Sequence, residues 1–373
     1  MRGLVNVAHS SIHYTHFMTI THSSAVIRSL SVLSALSLSL LVPAHAQDAP
    51  IATIHSTANV VLIPTQVQTK KGEMIYGLTA DKFIVEDNGV PQTIKLDEDT
   101  DALGLSLVVV IQCSRDAIRQ FDNMRGLTAM IDDLTGGAPR QVAVVTYGAD
   151  INLIGDFTSD PRTLADNLRE VAPCDDSKAV TLGAVDYANH MFDDNKSTAV
   201  SRNRRAILLI SETRDHGSNI KPAEVIANLG RTNTVVDAVS FEPAKTEVLD
   251  SLLHGQMGPG PIGLIVAAAN ALKKNAPSTL ASLSGGEYTN FGSQHGFDKG
   301  VHSLANHIHN YYLLSFQPTG KNGEPVTPGL HRITVKVPEY DTKIRSRETY
   351  YAGDAPPPDI PDKDEDKPDK KDK

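Results

Sequence analysis

The chain has 373 residues, of which 40% are hydrophobic and 21% are charged. This length and composition allow two domains with their own hydrophobic cores, and they exclude a chain that is disordered throughout. The 44 acidic residues outnumber the 35 basic ones, giving a net charge of −9. An acidic balance argues against nucleic acid or an anionic membrane surface as the partner.

The first predicted element is an apolar segment near the N-terminus. The stretch SLSVLSALSLSLLVPAHA follows Arg28 and ends in Ala44-His45-Ala46. A basic residue, a short hydrophobic region and a small-x-small cleavage site are typical of a secretory signal peptide. We therefore predict that residues 1–46 are removed and that the protein is exported to the periplasm, the cell surface or the medium. A retained N-terminal anchor is the alternative.

The mature chain is predicted to be more acidic and to lack a membrane span. Residues 1–46 contain Arg2 and Arg28 and no acidic residue, so 33 basic and 44 acidic side chains remain, a net charge of −11. The most apolar later stretch, IGLIVAAANALKK, is too short to cross a bilayer. We interpret it as a packed helix.

The next segment, residues 47–103, is predicted to be β-rich. Short β-branched runs such as NVVLIPTQVQ are separated by turn signals at Lys71-Gly72 and Asn88-Gly89. These runs are too few to form a stable unit alone.

Residues 104–310 alternate between strand and helix patterns. Strands are predicted at 105–111, 141–147, 151–156, 205–211, 233–240 and 286–290. Helices are predicted near 115–134, 160–171, 180–193, 221–230, 264–274 and 298–310. Runs such as RRAILLIS are apolar on both faces, which is typical of a strand covered by helices on both sides. The alternation therefore predicts an α/β fold with a doubly wound, mostly parallel sheet.

Residues 311–353 are again predicted to be strands. In HRITVKV, Ile333, Val335 and Val337 alternate with polar residues, which indicates a half-buried strand. We predict that this segment packs with residues 47–103 into a small β-sandwich and that the α/β domain is inserted between them. The Pro-, Asp- and Lys-rich residues 354–373 are predicted to be disordered, as a spacer or as a solvated end without a partner.

Oxygen-bearing side chains follow the predicted strand ends. VVVIQCSRD supplies Gln112, Ser114 and Asp116; a second loop supplies Thr181; the third, after AILLIS, supplies Glu212 together with Thr213, Arg214 and Asp215. Because the carboxyl ends of parallel strands meet in one crevice, we expect these loops to converge. Hydroxyl and carboxylate oxygens suit a hard cation, Mg²⁺ or Ca²⁺.

Several stretches in matched order resemble a known family. These are IPTQVQTKKGEMIYGLTADKFIVEDNGVPQ, RQVAVVTYGADINLIGDFTSDPRTL, ASLSGGEYTNF, and YYLLSFQPTG followed by HRITVKV and RSRETYYAG. Together they resemble the von Willebrand factor type A domain, in particular the secreted VWFA-related proteins described from acidobacteria. The resemblance covers the mature chain to about residue 353.

The resemblance implies a doubly wound fold with a metal-ion-dependent adhesion site. Ser114 and Thr181 match its pattern. Gln112 replaces the leading Asp, Asp116 replaces the second Ser, and Glu212 replaces the last Asp. The two carboxylates keep a charge of −2, whereas Gln112 is at most a weak ligand. The interpretations are a weak Mg²⁺ or Ca²⁺ site and a lost one; for Asp116 alone, a cap of helix 115–134 is a third.

Cys113 and Cys174 are the two cysteines of the chain. In a von Willebrand type A fold the loops that hold them are neighbours on one face. Together with export to an oxidising compartment, this predicts a Cys113–Cys174 disulfide. The alternative is a buried Cys113 and a free Cys174 thiol.

No GxSxG elbow and no P-loop sequence occurs in the chain. We therefore predict that the protein is not an enzyme. The expected function is an adhesion-type module that binds an acidic group of a protein or glycan partner through a metal ion at the loop face, in a degenerate metal-ion-dependent adhesion site. The alternatives are a metal-independent scaffold or interaction protein and, of another class, a metal-dependent hydrolase.

Overall fold

The computed structural model describes residues 60–97, 104–135, 139–195, 200, 203–241, 260–309 and 311–360. Its strands are β1 (Val61–Thr69), β2 (Ile84–Asp87), β3 (Val90–Pro91), β4 (Ile94–Asp97), β5 (Leu105–Gln112), β6 (Arg140–Tyr147), β7 (Ile151–Thr158), β8 (Arg204–Ser211), β9 (Val235–Ser240), β10 (Tyr288–Asn290), β11 (Tyr312–Phe316), β12 (Gly329–Lys336), β13 (Thr342–Ser346) and β14 (Thr349–Ala352). Its helices are α1 (Leu127–Thr135), α2 (Pro161–Glu170), α3 (Thr181–Asp194), α4 (Pro222–Thr232), α5 (Pro261–Lys274), α6 (Ala276–Ser284) and α7 (Gln294–His309), and a 3₁₀ helix spans Arg115–Met124. The predicted signal peptide, residues 1–46, lies outside the described residues.

The central sheet has the strand order β10-β9-β8-β5-β6-β7. All neighbouring pairs are parallel except β6 and β7, which are antiparallel. The order reverses at β5, with one half wound to each side of it, which is the doubly wound arrangement. The predicted α/β fold class with a mostly parallel sheet is confirmed.

Helices cover both faces of this sheet because its strands are apolar on both faces. One core contains Val108, Val110 and Leu209 with α3 and α4, and the other contains Val109, Ile111 and Leu208 with α1 and α7. Every residue of β5 is buried. No helix in the described ranges is both long and apolar enough to span a membrane.

Two helical features differ from the predictions. The predicted helix 115–134 is divided into the 3₁₀ helix and α1, with Gly126 at the break, where glycine disfavours continuation. Helix α6 was not predicted; it starts where the Asn275 side chain accepts a hydrogen bond from the Ser278 N–H. Asn275 is thus the N-cap of α6 directly after the end of α5. Sequence periodicity alone does not distinguish such a short second helix from a loop.

Strands from both ends of the chain form two further sheets, β13-β1-β11-β4 and β14-β12-β2-β3. Thus β1 pairs with β11 and β13, and β2 pairs with β12, so N-terminal and C-terminal strands share both sheets. Their inner faces enclose one core, which includes Ile63, Phe83, Leu314, Ile333 and Tyr350. A small β-sandwich therefore flanks the α/β sheet, in agreement with the predicted fold class. The exact domain boundaries remain predictions.

A buried histidine is ion-paired inside this sandwich. His331 Nδ1 lies 2.7 Å from Asp87 Oδ1, and His331 Nε2 lies 2.6 Å from the Thr327 carbonyl oxygen. The Asn88 Nδ2 group also lies 3.0 Å from His331 Nδ1. When both ring nitrogens carry a proton, the imidazole donates to the Asp87 and Thr327 oxygens. The Tyr350 hydroxyl donates to the other Asp87 oxygen at 2.6 Å. Hydrogen bonds from His331 to Asp87 and Thr327 outweigh burial and raise the pKa of the imidazole.

The first residues of the predicted disordered tail contact the α/β domain. Arg231 on α4 donates to the carbonyl oxygens of Gly353 and Ala355 at 3.1 and 2.7 Å. Asp359 pairs with Lys221 at 2.6 Å. Residues 354–360 therefore lie along α4, and the prediction of disorder remains only for residues 361–373, which lie outside the described residues.

Candidate functional site

The predicted loops converge at the carboxyl end of the central sheet. β5 and β8 are parallel neighbours in register up to Ile111 and Ile210, so the residues that follow them meet at one edge. Gln112, Ser114 and Glu212 are 1%, 2% and 4% exposed, and contacts join all three. The structure thus brings together three of the predicted site residues, although Glu212 is 100 positions from Gln112 in the chain.

Gln112 is the centre of this cluster. Its Nε2 donates to Ser114 Oγ at 2.7 Å and to Glu212 Oε1 at 2.8 Å. Its Oε1 accepts from the Glu212 backbone N–H at 2.8 Å. That N–H can only donate, so it requires the amide oxygen on its side and turns the NH₂ group towards the carboxylate. We call Gln112, Ser114 and Glu212 the amide cluster.

The amide cluster does not fit a divalent cation. Such an ion needs oxygen ligands around it, yet the oxygens of Ser114 and Glu212 are joined by the NH₂ group of Gln112. In the described ranges, no group of three or more His, Cys, Asp or Glu side chains is placed to hold a metal. We therefore derive no chemistry through Mg²⁺ or Ca²⁺.

Asp116 lies apart from the cluster. Its side chain is exposed in the first turn of the 3₁₀ helix. Among the described residues, no hydrogen bond or ion pair links it to Gln112, Ser114 or Glu212. The predicted restoration of a ligand by Asp116 one turn after Gln112 is not supported, because the 3₁₀ turn carries this position to the surface. A carboxylate in a first turn does interact favourably with the positive end of the helix.

Thr181 was predicted to be a metal ligand, and in the structure its side chain lies beside a tyrosine. Its Oγ1 lies 3.2 Å from the hydroxyl of Tyr147, the last residue of β6. Burial raises the pKa of the Tyr147 hydroxyl. Thr181 itself is completely buried at the start of α3, where it packs the helix against the sheet.

Two residues of the site have roles that the sequence did not assign. The Asp215 Oδ1 accepts from the Leu182 N–H at 2.9 Å, so a carboxylate from the third loop caps α3. His216 Nε2 lies 3.6 Å from Glu212 Oε2 and is 47% exposed. The i,i+4 spacing of Glu212 and His216 was a weak sequence signal for their contact. No local sequence signal indicated the contact between Asp215 and Leu182.

A disulfide joins the first and second loops. Cys113 and Cys174 are bonded, with a Cα–Cα distance of 5.1 Å across 61 positions of sequence. The Cys174 N–H also donates to the Cys113 carbonyl oxygen at 2.8 Å, and the Arg115 N–H donates to the Asp176 carbonyl oxygen at 2.9 Å. Gly148 permits this approach, because a Cβ there would lie 2.8 Å from the Cys174 sulfur. The predicted disulfide is confirmed.

Charged side chains surround the buried cluster on the outside. Arg115 and Asp175 form an exposed ion pair at 2.7 Å, and the Asp175 pKa is lowered by the hydrogen bond from Arg115. Lys178 and Arg214 are also exposed, and the Lys178 chain lies over Gly217. We define the loop face as residues 113–116, 174–181 and 212–218.

No family model and no curated protein match the chain. Solved structures that resemble it include proximal thread matrix protein 1 from the mussel byssus, at 12% identity and a TM-score of 0.39, covering 61% of this chain and 50% of that one. Another structure of the mussel protein, described as having a zinc-occupied MIDAS motif, gives 12% identity and a TM-score of 0.38 over 60% of this chain and 49% of that one. The conserved hypothetical protein BatB from Bacteroides thetaiotaomicron gives 13% identity and 0.36, covering 54% of this chain and all of that one.

The chain spans about half the length of the mussel protein. The identities are 12 to 13% and the TM-scores lie below 0.5, so no family and no function is transferred from these proteins. The similarity to von Willebrand type A proteins stays a resemblance, and the site is interpreted from its own contacts.

Proposed function

We propose that the protein is an interaction module whose loop face binds acidic groups of a protein or glycan partner without a metal ion. The observation that carries this proposal is the amide cluster. Glu212 already has a neutral donor, Gln112 Nε2 at 2.8 Å, in the place where a cation would be expected. A partner carboxylate therefore has no bound cation to coordinate and needs another source of positive charge.

Exposed basic side chains supply that charge. Lys178 and Arg214 lie on loops that the Ala179–His216 backbone bridge holds together. The disulfide holds the first loop against the second. The basic groups are thus mounted on loops held in place before binding, which reduces the entropy lost on association. Rim charges of this kind mainly determine orientation and association rate.

The site offers little for catalysis. Ser114 is 2% exposed, and its hydroxyl oxygen accepts the Gln112 N–H. A nucleophilic serine needs a base that removes its proton, and the described contacts of Ser114 include no histidine or carboxylate. This supports an interaction module over a hydrolase.

The test is binding of the exported protein to immobilised envelope and secreted fractions of its parent organism, with 5 mM EDTA or with 5 mM Mg²⁺, roughly the range in which weak extracellular cation sites fill. We expect equal binding in both buffers. Lys178→Glu together with Arg214→Glu should lower the association rate about tenfold at low salt.

The matched control is Arg162→Glu. Arg162 is exposed in the first turn of α2, which follows β7. The end of β7 pairs with the start of β6, so Arg162 lies at the end of the sheet opposite the loop face. This variant should bind like the wild type. Loss of binding in EDTA, or an equal loss in the control, would contradict the proposal.

A further inference from the structure

A buried arginine lies between the sandwich and the α/β domain and is not part of the loop face. Arg347 belongs to the short connection between β13 and β14, and its relative exposure is 0%. Its Nη2 donates to the Thr234 carbonyl oxygen at 3.0 Å, just before β9. Two residues later, the Thr349 hydroxyl donates to the Leu283 carbonyl oxygen near the end of α6. The connection is thus inserted into the α/β domain.

The chain makes room for this insertion with glycine. A Cβ on Gly285, the residue after α6, would lie 2.7 Å from the backbone nitrogen of Arg347. Gly285 also has a φ of +86°, a backbone conformation that L side chains rarely adopt. The arginine is therefore built into the junction and is not a surface side chain that has folded inwards.

The guanidinium is incompletely satisfied. Neither Nε nor Nη1 has a hydrogen-bond partner in the part of the chain that the structure describes. Burial alone lowers the pKa of this guanidinium to about 10, so it still carries its charge at neutral pH. No described carboxylate pairs with it, and a buried charge without a counter-charge is strongly disfavoured.

A small cavity adjoins the arginine. It has a volume of about 10 Å³ and is lined by Arg347, by Ser284 and Thr349, and otherwise mainly by apolar side chains such as Ile226 and Leu280. A space of this size holds at most one water molecule or one monatomic ion. A phosphate, sulfate or carboxylate does not fit.

We propose that this cavity is a binding site for one monovalent, halide-sized anion, with Arg347 as its principal ligand. One of the unused N–H groups of Arg347 donates to the anion, and the charge of the anion balances the guanidinium. A water molecule would accept the same hydrogen bond and leave the charge uncompensated. The apolar walls favour an anion that loses its hydration shell readily, so bromide and chloride should bind and fluoride should bind poorly.

Because the arginine lies in the sandwich segment and its surroundings belong to the α/β domain, the anion would stabilise the junction. We would measure Tm in sodium bromide, chloride, fluoride and gluconate at equal ionic strength, which keeps general screening constant. At an anion concentration about tenfold above Kd, the wild-type Tm should exceed that in gluconate by roughly 3 °C.

Arg347→Met should remove this difference. The matched control, Arg125→Met, changes an exposed arginine paired with Asp122 and should keep it. Equal wild-type Tm values in all four salts, or the same halide dependence in Arg347→Met, would overturn the proposal.

The second measurement does not depend on a variant that folds. Crystals of the wild-type protein grown in sodium bromide should show an anomalous peak beside the Arg347 guanidinium. Density at this position without an anomalous signal would mean that water fills the cavity, and the anion site would be disproved.

Discussion

Two buried carboxylates show how different surroundings assign different roles to the same chemical group. Asp87 in the sandwich and Glu212 at the end of the central sheet are both nearly inaccessible to water. Asp87 accepts from the Tyr350 hydroxyl and, when His331 is protonated, from the imidazole as well, so that its charge is then matched inside the sandwich. Glu212 accepts from the neutral amide of Gln112, and its other oxygen faces the half-exposed His216.

The difference distinguishes a stabilising ion pair from a polar cluster beside the proposed binding surface. The Asp87 pair closes on itself, and its contribution is to stability. The Glu212 carboxylate instead contacts a neutral amide and a half-exposed histidine at the edge of the loop face. Four predictions, from the largest expected effect to the smallest, test this contrast.

Removal of the disulfide should have the largest effect on stability. The bond closes a loop across 61 positions, for which the chain-entropy model gives about 4 kcal/mol. We expect Cys113→Ala with Cys174→Ala to lower the free energy of unfolding by about that amount in urea titrations. A reduced wild type should behave the same way. A change below about 1 kcal/mol would show that backbone contacts alone hold the loops.

Breaking the sandwich ion pair should rank second. His331→Ala leaves Asp87 buried without its cation, which should cost about 3 kcal/mol. The matched control is Lys336→Ala, which removes an exposed partner of Glu86 and should cost less than about 1 kcal/mol. Urea unfolding of both variants measures the difference. Similar losses in the two variants would place the His331 pair among ordinary surface pairs.

Stability should fall as the pH rises. The folded-state pKa of His331 is raised, so its contribution is complete below pH 6.5 and is lost as the pH rises through the raised pKa. Burial also raises the pKa of Glu348 from 4.5 to about 7, which has the same sign. The unfolding free energy should therefore decrease by about 2 kcal/mol between pH 5 and pH 8. Glu348→Gln should flatten the profile; a profile that rises with pH would contradict both assignments.

Replacement of Gln112 in the amide cluster should have the smallest effect on stability, and this effect should depend on Ca²⁺. Gln112→Asp removes the NH₂ group and places a second carboxylate beside Glu212, which should cost about 1.5 kcal/mol without metal. Millimolar Ca²⁺ should restore part of this loss in the variant and leave the wild type unchanged, as thermal unfolding would show. Asp116→Ala is the control and should change stability by less than about 0.5 kcal/mol. A wild type stabilised by Ca²⁺ would contradict the amide cluster as a closed site.

Local patterns determined most of the fold. The continuous apolar run of β8 and the alternation in β12 record which faces are buried, because burial of a strand depends on side-chain periodicity. The same patterns predicted that the segments before and after the α/β domain would need each other. They also predicted which loops converge, since parallel strands place their ends together.

Only the tertiary structure decided what the converging residues do. Whether Gln112 is a weak ligand or a donor depends on the Glu212 backbone N–H, 100 positions away, which orients the amide. The 3₁₀ turn decided that Asp116 is exposed, and Asp215 caps a helix that precedes it in the chain. RSRETYY has the appearance of a polar strand, yet packing of the junction buries Arg347 completely. Hydrogen bonds and charges are satisfied by neighbours in space, and a sequence specifies such neighbours only through the complete fold.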